Sequence, residues 1–416
     1  MAGTERGEQV MRFFAAAFAA IVIFGICADA SARYQPPPKR HFLSNESLRR
    51  PEQYRKLSSH IKSDRRIELS RRKVVSLKKS SFWNSRPYQF STPLLSEGKI
   101  FVGVDAGYFY SIDTKLKNKI WTYKTDGAIQ AEAAVYGSEV FFGDCKVNVY
   151  ALDGATGAER WKSKVDTSVL AQPLVTGDRV YIATMSGRLF ALDRGSGVEL
   201  WHTDAFDDDF GFSVRRAAAP VLRDGLIYVG SSSGMLIAYR ETDGRIVWTR
   251  QLGDRRSQVF DVDSKPLFVG DKIYVTTADN SLFCIDTVTG RIDWDANAGG
   301  SSDPILYGDK MYVSGAGGVA ALDPIEGNFI WQQDLEEAGL SSPAAGKDYV
   351  AVASTKQRLY LIDSDTGDIL FQRYIRGGSY GDLVVANDML YVLSNSGRIF
   401  TFEVKEHSPR KRAKKS

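Results

Sequence analysis

Asp204, Asp207, Asp208 and Asp209 set four carboxylates within six residues, a hard-oxygen cluster that could draw a calcium ion. The run lacks the alternating spacing of a calcium loop, and a solvated acidic turn is the simpler reading. Four histidines, at 41, 60, 202 and 407, show no metal spacing. No Gly-Lys phosphate loop, zinc signature or nucleophile elbow with triad partners occurs. A site assembled from separate loops would escape such motifs, so no catalytic or metal-binding residue is assigned, and no cofactor. The remaining chemistry-bearing residues are aromatic. Trp121, Trp161, Trp201, Trp248, Trp294, Trp331 and Phe371 recur along the chain, and an indole face can stack on a planar cofactor. A cofactor box would stand at one place, whereas one large aromatic per repeat at constant spacing suits packing of each unit on the next.

The elements that carry these aromatics repeat. Each aromatic stands eight residues after a marker: Asp113, Asp153, Asp193, Arg240, Asp286, Asp323 and Asp363. Gly157, Gly197, Gly244, Gly290, Gly327 and Gly367 lie four residues before their aromatic, a fixed place that suits positive φ in a hairpin. The marker Asp can accept hydrogen bonds from backbone amides across that turn. Each unit opens on a short apolar strand at Pro93, Ala133, Pro173, Pro220, Pro266, Pro304, Pro343 or Leu383, at intervals of 38 to 47 residues. A four-stranded unit repeated at that period predicts an all-β, eight-bladed β-propeller of antiparallel blades.

The eighth unit reaches its third strand, "RIFTFE", and then turns basic, so its fourth strand must come from the N-terminal side. Trp83 stands 10 residues before Pro93, as Trp294 stands 10 before Pro304, and the segment around Trp83 is expected to close the last blade. Pairing both chain ends in one blade removes the open edges of the ring. The expected organisation is a signal peptide over 1–32, a basic arm over 33–72, extended or partly helical, the propeller over 73–404, and a basic disordered tail over 405–416.

The export reading rests on Arg12 before "FFAAAFAAIVIFGI" and on small residues at Ala30 and Ala32, with Met1 or Met11 as start. Ile26 stands where a lipobox wants a small residue, so cleavage after Ala32 is expected rather than lipidation of Cys27. Cys145 and Cys284 fall in the second and fifth units and are expected as single buried thiols. Net charge is +11 over 33–80, +5 over 405–416 and −11 over 81–404. A basic arm of this kind could touch anionic lipid or cell wall, or lie on the acidic ring. Nucleic acid is a poor partner for an exported chain.

Two connections are long: 19 residues from Trp201 to Pro220 and 18 from Trp248 to Pro266, against 10 to 12 elsewhere. Both run from an outer strand to the next inner one, so they emerge on the same face. Units such as "VYALDGATGAERW" resemble the quinoprotein-type (PQQ-like) propeller repeat, which occurs in quinone-dependent dehydrogenases and in non-enzymatic scaffolds. The dehydrogenases typically carry adjacent cysteines and a calcium site; this chain has no adjacent cysteines. The connections "FGFSVRRAAAP" and "RSQVFDVDSKP" resemble those of the BamB-type outer-membrane β-barrel assembly factors. That resemblance implies partner-binding positions at Phe212, Val214 and Arg215, and at Asp261 and Asp263. It further implies a non-enzymatic periplasmic scaffold, peripherally associated with the outer membrane. Its partner would be the barrel-insertase subunit, and unfolded outer-membrane proteins could be its clients. The alternatives are a periplasmic quinoprotein oxidoreductase and an envelope- or cell-wall-binding propeller.

Overall fold

The computed structural model describes residues 66–77, 89–115, 118–204, 218–253, 261–315, 317–335, 337 and 339–407. Eight four-stranded antiparallel sheets are arranged as an eight-bladed β-propeller. The inner strands, such as Leu94–Ser96, Val221–Arg223 and Val384–Ala386, each begin one residue after the expected start. They are short because they crowd the axis. The second and third strands, for example Lys99–Val104 and Tyr108–Asp113, are almost wholly buried. Blades cover both of their faces, so a continuous apolar run replaces alternation. The outer strand Lys119–Lys124 alternates half-buried and exposed positions.

The hydrophobic core is divided among the seams between blades. One cluster joins Phe101 and Phe109 of blade 1 to Phe142 and Tyr150 of blade 2. Equivalent clusters fill the other seven seams. The outer-strand tryptophan of one blade lies on the turn glycine of the next. A Cβ on Gly157 (φ 74°) would come within 2.6 Å of the Trp121 ring, so both conformation and contact require glycine there. The marker aspartates organise the same turns. Asp153 Oδ1 accepts from the amides of Ala155 and Thr156 and from the Thr156 hydroxyl, at 2.9–3.1 Å. Asp286 accepts the equivalent bonds from Val288 and Thr289.

The closing strand is Arg66–Ser76, not the segment around Trp83, which lies outside the described residues. It pairs antiparallel with Arg398–His407, from Arg66↔His407 to Ser76↔Arg398, with a bulge between Arg71 and Lys73. Ile67, Leu69 and Val404 are buried against blade 7, and Arg373 of that blade donates to Leu69 O at 2.9 Å. The third strand of blade 8 therefore continues to His407, past the expected boundary at 404, and the closing strand begins before the expected boundary at 73. The expected signal peptide with Cys27, the arm before Arg66 and the tail from 408 lie outside the described residues.

Candidate functional site

The two long connections leave the outer strands Glu199–His202 of blade 3 and Ile246–Gln251 of blade 4. Phe212, Val214 and Arg215 lie outside the described residues, as do Asp207, Asp208 and Asp209. The second connection is described from Asp261 onward, and its course follows from a few backbone contacts. Val262 N donates to Ser231 O at 3.0 Å, and Asp261 O accepts from Ala278 N at 2.9 Å. Ser231 belongs to blade 4 and Ala278 to blade 5, so this segment is stitched to both sides of the seam. Gly230 permits the approach, since a Cβ there would lie 2.2 Å from Val262 O. Val262 fills the seam core, 1% exposed, and Asp261 and Asp263 are buried beside it, 3% and 8% exposed. The two aspartates thus belong to the packed foot of the connection and not to its exposed surface.

Beyond Asp263 the chain turns to the axis. Ser264 Oγ donates to Thr276 O at 3.0 Å, and Lys265 N donates to Asp303 Oδ1 at 2.7 Å. The pattern continues around the ring: Asp303 N to Ser342 Oγ (2.9 Å), Ser342 N to Asp382 Oδ1 (2.8 Å), and Asp382 N to Thr92 Oγ1 (3.0 Å). Each acceptor is the polar residue directly before the residue that opens its blade: Pro304, Pro343, Leu383 or Pro93. Blades 5, 6, 7, 8 and 1 are thereby linked around the axis by side chain to backbone bonds. From the same ring Lys265 Nζ reaches past blade 4 to Gln172 Oε1 of blade 3 at 2.8 Å. Sequence reasoning missed this necklace. Its signal was present as the polar residue before seven of the eight starts, Thr92, Glu132, Gln172, Lys265, Asp303, Ser342 and Asp382, with Ala219 before the eighth.

An axial funnel of about 480 Å³ lies against this ring, walled by Leu94, Leu95, Ala134, Val135, Leu174 and Val221 among others. The propeller fold is shared with quinone-dependent enzymes, so the fit of such a cofactor can be judged from the residues. Pyrroloquinoline quinone is a tricarboxylate bound together with a metal ion. The funnel offers the Lys265 ammonium, already bonded to Gln172. The described residues contain no group of three or more His, Cys, Asp or Glu that could hold a metal. Cys145 and Cys284 are separate buried thiols in blades 2 and 5. These residues do not fit the cofactor, and no redox step is assigned to the funnel.

A family model described as outer membrane protein assembly factor BamB matches residues 91–333 and 315–408. BamB of Legionella pneumophila is 26% identical over 193 residues, 45% of this chain and 50% of the relative. BamB of Xanthomonas campestris is 28% identical over 200 residues, 46% and 49% of the two chains. The aligned region thus spans about half the length of the curated relatives. The crystal structure of BamB from Moraxella catarrhalis superposes with a TM-score of 0.71 at 24% identity, over 81% of this chain and 100% of that one. A quinohemoprotein alcohol dehydrogenase from Comamonas testosteroni gives 0.64 at 13% identity, over 80% and 76%, a likeness of fold alone.

Proposed function

The chain belongs to the BamB family of outer-membrane protein assembly factors, and from that membership we propose that it serves as a non-enzymatic periplasmic scaffold. In this reading it binds the barrel-insertase subunit of the β-barrel assembly machinery and helps insert β-barrel proteins into the outer membrane. One observation carries the choice of surface: two successive connections of unusual length follow the outer strands of neighbouring blades, and the foot of the second is packed into the seam. A packed base under a long connection lowers the ordering cost of binding. Phe212 and Val214 supply the apolar contact and Arg215 the charge. Asp261 and Asp263, being buried, act by fixing the loops and do not touch the partner.

The test is capture of the insertase subunit from envelope membranes by the Phe212→Ala/Arg215→Glu double mutant. Capture should weaken by more than ~1 kcal/mol, as expected of hot-spot residues, with an unchanged melting temperature. Undiminished capture by a well-folded double mutant would remove the interface from this face.

A further inference from the structure

The tryptophan latches are not equal. Trp121, Trp161, Trp294 and Trp331 each donate Nε1–H to a carbonyl in the turn of the next blade, at 2.8–3.2 Å. At two seams Tyr274 and Tyr312 add a second donor to the same turn. Trp201 and Trp248 have buried Nε1 atoms with no acceptor among the described residues. Between blades 3 and 4 the lost bond is replaced: Arg179 grips Glu241 O at 2.9 Å, and Tyr181 donates to Glu241 Oε1 at 3.1 Å. Between blades 4 and 5 the replacement at the latch is Arg250 Nε to Gly290 O, from a half-buried side chain.

The Trp248 ring is also displaced. A Cβ on Gly290 would stand 3.1 Å from it, against 2.6–2.8 Å at the five other glycine–tryptophan contacts. Its plane lies at 63° to Tyr228 of its own blade, against 42–54° for the equivalent pairs at the other five tryptophans. A turned indole with a buried, unpaired N–H gives up both packing and hydrogen-bond energy. The foot of the connection ties the opposite end of this seam through Val262 N to Ser231 O and Ala278 N to Asp261 O, so the weakness lies at the latch. We propose that the ring opens first at the latch between blades 4 and 5, as a local event that leaves the other seams closed. This inference stands on the seam geometry and not on the assembly role.

The repeat supplies its own reporters. Cys284 is a native buried thiol that pairs in register with Trp294 at the 5/6 seam. Ala238 and Ala321 hold the same position opposite Trp248 and Trp331. Thiol labelling under native conditions, read by peptide mass, compares Ala238→Cys with Ala321→Cys in the full chain, each checked for an unchanged melting temperature. The thiol introduced by Ala238→Cys should label at least tenfold faster than the one introduced by Ala321→Cys, and than Cys284 of the same molecule; tenfold corresponds to about 1.4 kcal/mol. Equal rates, or faster labelling at position 321, would overturn the proposal. A second comparison removes the donor itself. Trp331→Phe should speed labelling at position 321 at least threefold, while Trp248→Phe leaves the rate at position 238 within twofold. A large acceleration by Trp248→Phe would show a bond at that seam and count equally against it.

Discussion

At the scale of single residues, the turn aspartates make this ring acid-sensitive in a defined window. Backbone amides, a threonine hydroxyl and Arg160 hold the Asp153 carboxyl down to about 2. The Thr289 amide and hydroxyl, with Lys272, push Asp286 further below the carboxylate range. Asp193 is lowered in the same way by Ser196. The unfolded chain takes up these protons near pH 3.8 and the folded chain only at lower pH. Their stabilisation is therefore complete above about pH 4 and is lost as pH falls toward about 2. Asp286→Asn keeps the Oδ1 acceptor but removes the titration. Its melting temperature should lie below that of the parent at neutral pH and fall less on acidification, as thermal melts at several pH values will show. These aspartates, with the glycines and tryptophans, were legible in the sequence because one turn geometry imposes them at fixed offsets. Lys265 and Gln172 were not, because their bond joins blades 93 residues apart and no local pattern marks it.

At the scale of elements, all eight blades were legible to within a residue at their inner strands, and the outer strand of blade 8 was not. A hairpin between third and fourth strands needs turn chemistry, and turn chemistry leaves motifs. The outer strand of blade 8 arrives from the other end of the chain and needs none. Its sequence, "RIELSRRKVVS", reads as a solvated basic arm, yet Ile67 and Leu69 alternate inward with Glu68 outward, and the bulge after Arg71 resets the register. Leu69→Ala should lower global stability by about 2–3 kcal/mol, a typical loss for a buried leucine, in urea unfolding. A variant lacking residues 1–76 should aggregate or lose its cooperative transition, because Arg398–His407 would become an open apolar edge. A normal cooperative melt would show that blade 8 does not need this strand.

At the scale of the whole molecule, closure is made twice. The outer circumference is closed by the strand pair of blade 8, and the axis by the necklace that runs from Lys265 through Asp382 to Thr92. The second closure ties blade 8 to blade 1 by a path independent of the first. Asp382→Ala removes an acceptor from the Ser342 amide, and a lost hydrogen bond to a charged group is worth about 2 kcal/mol. The loss should appear in the global transition, with an unchanged denaturant slope, and not as local fraying of blade 7. A change confined to local amide exchange would show that the axis does not carry ring integrity. The candidate interface was legible only as two unusual lengths and a resemblance, since loop sequence obeys no periodicity.

The strand pair of blade 8 also sets an order in time. Ser70 and Glu403 are bonded across 333 residues. In any process that releases the chain from its N-terminus, the first strand of the fold must wait, unpaired, while seven blades form from neighbouring segments. Such a distant contact is slow to find and comes last. The closing step thus acts as a proof of completeness. A chain interrupted before residue 398 can build most of its blades but cannot shut, and its waiting edge marks it for other hands: a chaperone, a protease or another copy of itself.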